Sequence, residues 1–180
     1  MKITILNGDM NVNNASFTNV LHKLVEELAK VHNVEIFDLN KLTLHSCQGC
    51  WTCWVKTPGI CSIKDDAPRI FEAVINADIF IFASPLMAGF TSSILKIITD
   101  RLIVLLHPYI QLRQGESHHN KRYKHYPKFG LLIEKEKDTD QEDLNILNDI
   151  YDRFAINFHS KRLFTEFVDE VGVDTFERIN

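Results

Sequence analysis

No apolar run in this 180-residue chain approaches the ~18 positions that a bilayer-spanning helix needs, so no membrane span is expected. The N-terminus, MKITILNGDM, has one lysine and too short an apolar stretch for a secretory signal. Charge of one sign is nearly absent in excess: the net charge is −4, which argues against a nucleic-acid partner. At 45% hydrophobic and 24% charged residues, the chain lacks the composition of a disordered, collagen-like or coiled-coil protein. Cysteine is scarce and confined, with four residues all between Cys47 and Cys61. A secreted disulfide framework spreads its cysteines along the chain, so the clustering reads as intracellular chemistry in a cytoplasmic protein. There is no internal repeat or linker, and the length suits one domain, 1–180, that needs no disulfide or metal to fold.

What is present is an alternation of short apolar runs and segments of helical spacing. Lys2–Leu6 reads as a strand stopped by Asn7-Gly8. Val20, Leu21, Leu24, Val25 and Leu28 follow at helical spacing, capped by Asn14 or Ser16. Val34–Phe37 is a second strand, and Asp65-Asp66-Ala67-Pro68 opens a helix facing inward through Ile70, Phe71, Val74 and Ile75. Asp78–Ala83 is apolar almost throughout, as a central strand covered on both faces must be, and it ends at Ser84-Pro85. A helix over about 92–106 leads into a long polar loop to Pro127, then a fourth strand at Phe129–Ile133. Thr139-Asp140-Gln141-Glu142 reads as a capping box for a helix bearing Leu144, Leu147, Ile150, Tyr151 and Phe154. Arg162–Val168 is a fifth strand, and the last dozen residues carry no pattern. Five strand–helix cycles specify an α/β, three-layer domain on a five-stranded parallel sheet. In strand order 2-1-3-4-5 the ligand crevice lies between the first and third strands, at the loops Asn7–Ala15 and Ser84–Thr91.

Four segments are candidates for chemistry. The first loop runs into a helix N-terminus, whose amides and dipole suit a phosphate, with Asn14, Ser16 and Thr18 as side-chain donors. It has neither the Walker glycines and lysine nor a dinucleotide fingerprint, and Asp9 would repel a phosphate unless turned away; an ordinary capped loop is the alternative. In the third-strand loop, Pro85 and Gly89 bracket backbone suited to a flat ring, with Leu86 and Met87 as an apolar face; a packed strand–helix turn is the alternative. The Cys-rich loop, 46–64, spaces Cys47, Cys50, Cys53 and Cys61 by two, two and seven residues. This spacing resembles a ferredoxin-type cubane set; four-thiolate zinc and metal-free reduced thiols remain open beside it. The His/basic loop, 107–127, carries His107, His118, His119 and His125 among Arg113, Lys121, Arg122 and Lys124. A loop so long in a compact domain reads as a lid or subunit contact that attracts a cofactor phosphate, with the paired histidines solvated.

Three stretches carry a family resemblance: I-L-N-G followed by N-A-S-F-T, the C-x-G-C-x-x-C…P-G-x-C…D-D segment from Cys47 to Asp66, and A-S-P-L-M-A-G-F-T-S-S-I-L-K-I-I-T-D-R-L from Ala83 to Leu102. Together they resemble the flavodoxin-like NAD(P)H-dependent FMN reductase family, in its iron–sulfur flavoprotein-like branch. The resemblance implies a flavodoxin-like fold with FMN phosphate on the Asp9–Thr18 loop (Asp9, Met10, Asn14, Ser16, Phe17 and Thr18) and the ring against Pro85, Leu86, Met87, Ala88 and Gly89. It implies electron transfer from NAD(P)H to a small acceptor such as a quinone or flavin, without a side-chain acid or base. In the iron–sulfur branch, Cys47, Cys50, Cys53 and Cys61 would hold a [4Fe–4S] cluster, and a redox protein could be the partner. A homo-oligomer, specifically a homodimer, is expected, because flat flavin sites often borrow a partner's loop. Departures from the family pattern are Asp9-Met10-Asn11 after the first-loop glycine, Met87 in place of an aromatic, and the charged Glu134–Lys137 where a small loop is usual. An interaction module on this fold that has lost flavin is the reading from a different class.

Overall fold

The computed structural model describes residues 1–11, 13–171 and 179; Val12 of the first loop and part of the patternless C-terminal stretch lie outside them. Strand β1 (Lys2–Asn7) leads to helix α1 (Ala15–Ala29) and β2 (Asn33–Asp38). After the short α2 (Thr52–Val55) come α3 (Ala67–Ile75), β3 (Ile79–Met87), β4 (Phe90–Thr91) and α4 (Ser93–Arg101). A hairpin of β5 (Leu106–Arg113) and β6 (Glu116–Lys121) precedes β7 (Lys128–Glu134), α5 (Gln141–Asn157) and β8 (Arg162–Phe167). The parallel sheet has order β2-β1-β3-β7-β8, the flavodoxin-like 2-1-3-4-5 order when the five parallel strands are numbered alone.

Successive side chains of a strand face opposite sides, and here they feed two cores. Ile3, Ile5, Ile79, Ile81 and Ala83 pack under Phe17, Leu21, Leu24 and Leu28 of α1. Phe80, Phe82, Phe129 and Leu131 pack on the other face, under α3, α4 and α5. There the sheet's phenylalanines meet Tyr151, Phe154 and Phe158 of α5, mostly edge-on, as for Phe82 and Phe154 with centroids 5.5 Å apart. Asn14 caps α1, its Oδ1 accepting from Phe17 N. The capping box of α5 is Asp140 with Asp143, one position beyond the expected Thr139–Glu142 pair, because Asp140 takes the extended N-cap conformation.

Two larger departures from expectation lie in β3 and in the His/basic segment. Strand β3 does not stop at Ser84-Pro85 but continues to Met87. Pairing with β1 ends at Ala83 whereas pairing with β7 runs to Pro85, so the proline sits where β3 has become an edge and its missing N–H is tolerated. The His/basic segment is not an irregular loop. It contains an antiparallel hairpin closed by Gln114-Gly115, both with positive φ (53° and 83°), the two-residue turn that matches strand twist.

Candidate functional site

The switch point is locked by a short chain of hydrogen bonds. Gly8 N donates to Ala83 O (2.8 Å), Ser92 Oγ donates to Gly8 O (2.6 Å), and Ser92 N donates to Ser84 Oγ (3.0 Å). A Cβ on Gly8 would lie 2.8 Å from both Leu95 Cβ and Ser92 Oγ, so only glycine allows the end of β1 to approach α4 this closely. The first loop and the third-strand loop are thereby held side by side at the carboxyl edge of the sheet.

Within the first loop, side chains of Asn and Asp capture backbone N–H groups two residues on, a habit of these residues in turns. Asp9 N donates to Asn7 Oδ1 (3.0 Å), Asn11 N to Asp9 Oδ1 (2.9 Å) and Asn13 N to Asn11 Oδ1 (3.0 Å). Asp9 is buried, with Asn40 Nδ2 on its carbonyl at 3.0 Å. It lines a recess of about 210 Å³ on the β2 side together with Thr18, Asp38 and Lys41. Ser16 opens on the other side, into a cavity of about 420 Å³ shared with Glu134, Glu136 and Thr139. The structure therefore divides the expected phosphate donors between two recesses. Asn14 stays at the second of them, where its Nδ2 donates to Glu134 Oε2 (2.5 Å). Phe17 contributes its N–H to Asn14, while its ring is fully buried in the core.

In the third-strand loop, Ala88 (φ 54°) and Gly89 (φ 76°) form a tight turn that sends β4 back along β3. Pro85 is part-buried and Leu86 is buried in the core, so Leu86 presents no face to a ring; Met87 is half exposed at 50%. Met10, 49% exposed, lies against the start of α4, its Sδ accepting from Ser93 Oγ at 3.4 Å. The turn's N–H groups both point at one carboxylate: Ala88 N donates to Glu136 Oε1 (3.1 Å) and Gly89 N to Glu136 Oε2 (3.0 Å). In the sequence the Glu134–Lys137 charges stand out only as a departure from the family's small loop, without pointing to this contact. Their signal is an acid pair two residues apart directly after the fourth parallel strand.

The cysteine segment is pinned at its neck. Thr43 N donates to Asp66 Oδ2 (2.8 Å) and His45 N to Asp65 Oδ2 (3.0 Å), while Ala67 N donates to Asp65 Oδ1 (3.2 Å). Arg101, at the end of α4, pairs with both carboxylate oxygens of Asp65, and the two side chains are 1% and 0% exposed. Its guanidinium also donates to His45 O (3.0 Å) and to Cys61 Sγ (3.5 Å). Cys47 and Cys50 are exposed, Cys53 and Cys61 part-buried, and all four are free thiols. Hydrogen bonds from Ser62 and Thr52 bring the Cys50 thiol down to about 7, whereas burial and then the neighbouring thiols push Cys53 up. Among the described residues, no group of three or more His, Cys, Asp or Glu side chains is spaced to hold a metal ion.

The hairpin braces this segment against α5. Trp54 Nε1 donates to Leu106 O (3.1 Å) and its ring lies 4.9 Å from that of His119. His118 is buried rather than solvated, its Nε2 3.5 Å from Glu116. His159 Nδ1 accepts from Arg113 Nη1 (2.8 Å), so its Nε2 carries the proton and donates to His119 O (2.6 Å). That arrangement requires neutral imidazole, and burial together with the Arg113 charge lowers the His159 pKa from the usual 6.5. A histidine with a depressed folded pKa stabilises fully above its unfolded pKa, near 6.5, and loses that contribution as pH falls through the folded value. The stability difference between wild type and His159→Gln is accordingly expected to shrink between pH 7.5 and pH 5. A difference constant across that range, measured by urea unfolding, would refute the neutral brace.

Comparison with known proteins bears on this site. The sequence profile of the family described as NADPH-dependent FMN reductase matches residues 1–123. An iron–sulfur flavoprotein of Archaeoglobus fulgidus is 33% identical over 102 residues, 56% of this chain and 48% of that protein, so the chain spans about half the length of that curated relative in the match. Among solved structures, an NAD(P)H:quinone oxidoreductase from Methanothermobacter marburgensis superposes with TM-score 0.64 at 18% identity, covering 93% of this chain and 85% of that one. An azoreductase from Bacillus anthracis superposes with TM-score 0.62 at 12% identity, covering 91% and 86%. At these identities the structural likenesses establish the fold. No helix among the described residues is long and apolar enough to cross a membrane. With the profile matching well over half of the sequence and the switch-point loops in place, the chain belongs to the NADPH-dependent FMN reductase family.

Proposed function

We propose that the chain is an FMN-dependent oxidoreductase that takes electrons from NAD(P)H and delivers them to a small acceptor of quinone or flavin type. The observation that carries the reading is the Ala88–Gly89 turn, whose two adjacent N–H groups converge on one pair of acceptor oxygens at 3.1 and 3.0 Å. The pyrimidine edge of a flavin offers neighbouring nitrogen and oxygen acceptors to such a pair. Met87 at the turn and Met10 against α4 add soft apolar surface for a ring. The start of α1 at Asn14 and Ser16 puts the positive end of a helix dipole beside the crevice, where it favours a phosphate, although Phe17 N is already taken by Asn14 Oδ1. Asp9, its carboxylate turned onto Asn11 N, keeps its charge within its own loop. The donor set therefore fits FMN, with the Glu136 carboxylate as the group to be displaced.

Bound FMN supplies hydride acceptance and electron release; the chain holds the ring, screens it and stabilises charge at its edge. The turn amides are pre-aligned for that last task, so they stabilise developing negative charge without reorganising. Titration of purified protein with FMN is expected to quench flavin fluorescence and to confer NAD(P)H-dependent quinone reduction. Protein that stays colourless after incubation and leaves the fluorescence unquenched refutes the reading.

A second reading, an iron–sulfur flavoprotein electron carrier serving a redox protein, is favoured by one observation. Four free thiols occupy a single segment whose neck is fastened by a buried ion pair. Cluster binding would need Cys47, Cys50, Cys53 and Cys61 to draw together. Iron and sulfide analysis of anaerobically prepared protein tests this, and near-zero iron removes it.

A further inference from the structure

We propose that Glu136 is an internal competitor for the ring site, a specificity-determining residue whose carboxylate occupies the turn amides until a ligand displaces it. The proposal rests on the flavin reading of that turn. Its basis is the geometry: the two oxygens of Glu136 accept from two consecutive amides at 3.1 and 3.0 Å, across 48 and 47 residues of chain. Charge-assisted bonds to a carboxylate are stronger than neutral ones, so a neutral carbonyl edge competes poorly with this side chain.

The contact is built rather than incidental. Glu136 N donates to Thr139 Oγ1 (2.8 Å), which fixes the segment after β7 just where its side chain must reach the turn. Two residues earlier, Glu134 takes the Nδ2 of Asn14, the residue that caps α1. One short segment thus ties itself by two carboxylates to both loops of the crevice, the side expected to take a phosphate and the side expected to take a ring. Asp143 adds a third acid, its Oδ1 3.2 Å from where a Cβ on Gly89 would be. An arriving anionic ligand meets these acids unless the segment swings aside. A ligand succeeds only if it brings two neighbouring acceptors for the turn and enough further contact to release Glu136. A single-acceptor or weakly held ring is rejected.

When a site is competent only in its open fraction, apparent affinity falls by that fraction. A latch closed for 90–99% of the time weakens binding roughly ten- to hundred-fold. Removing the carboxylate in Glu136→Ala is therefore expected to tighten FMN binding by about that factor, with Glu136→Gln intermediate because an amide oxygen accepts from one N–H while its NH2 opposes the other. The test is fluorescence titration with FMN of wild type, E136A and E136Q, alongside amide hydrogen exchange at Ala88 and Gly89 in the ligand-free proteins. Tighter binding in the order E136A, E136Q, wild type supports the proposal; equal or weaker binding by both variants overturns it and leaves the flavin reading standing. If no variant binds FMN, the flavin reading fails and exchange alone judges the latch. Faster exchange at Ala88 and Gly89 in E136A then sustains it, and unchanged exchange overturns it. Should E136A not fold, E136Q carries the same comparisons.

Discussion

Replacing Asp65 by alanine is expected to destabilise the protein by about 3–5 kcal/mol, because it leaves a buried guanidinium without its counter-charge. Arg101 is 1% exposed on its side chain, and among the described residues its Nε already has no hydrogen-bond partner. The remaining contacts of the guanidinium are His45 O, Cys61 Sγ and the face of Phe71, whose centroid is 5.5 Å from Cζ. The same substitution frees His45 N and Ala67 N, so the cysteine segment loses its fastening at the neck. Replacing both partners by apolar residues, Asp65→Leu with Arg101→Met, is expected to recover much of the loss, since the cost lies in the unpaired charge. Urea unfolding of wild type and both variants measures these effects. A D65A protein within about 1 kcal/mol of wild type would show the pair to be dispensable, as a surface pair would be. Burial alone would raise the Asp65 pKa, but Arg101 and the His45 and Ala67 amides outweigh it and hold the carboxyl below the usual range. With the folded pKa depressed, the pair's contribution is complete above about pH 4 and is lost only as pH falls through that lower value.

Gly8→Ala is the second large effect expected, about 1–3 kcal/mol from overpacking, together with weaker FMN binding. Space, not backbone conformation, makes the glycine necessary: its φ is not in the left-handed region, but the new methyl would meet Leu95 Cβ and Ser92 Oγ at 2.8 Å. To admit it, either the Ser92 bond to Gly8 O must break or α4 must retreat, and both moves separate the first loop from the third-strand turn. Stability within about 0.5 kcal/mol of wild type, an ordinary surface-substitution effect, would show that the junction relaxes freely.

The parallel sheet is legible in the chain because a strand covered on both faces needs apolar residues at nearly every position, as Ile79–Ala83 has. The inward faces of α1 and α3 are legible for the matching reason, that one-sided burial imposes a 3.6-residue period. Local pattern fails at the hairpin. Most of its outward positions are polar or exposed, including Tyr109, Ile110 and Leu112, so alternation carries little contrast; its turn is Gln-Gly rather than the more telling Asn-Gly or Asp-Gly. Local pattern fails again at Pro85, where a proline reads as a strand stop although a strand that has lost one neighbour can accommodate it.

At the candidate site, the turn is legible from Gly89, which follows a buried strand, although Pro85 lies inside that strand rather than at the turn. The roles of Phe17 and Leu86 are not, since a loop residue and a core residue can be neighbours in sequence and only packing separates them. The alternation of elements, the sheet order they favour and the two loops that must meet at its switch point are written in the chain, because they follow from periodicity and connectivity. Which groups face each other there is set by the folded chain. Asp65 finds Arg101 36 residues away, and Glu136 reaches the turn amides across 47 and 48, because a hydrogen bond or ion pair depends on distance and direction in space, which no local period records.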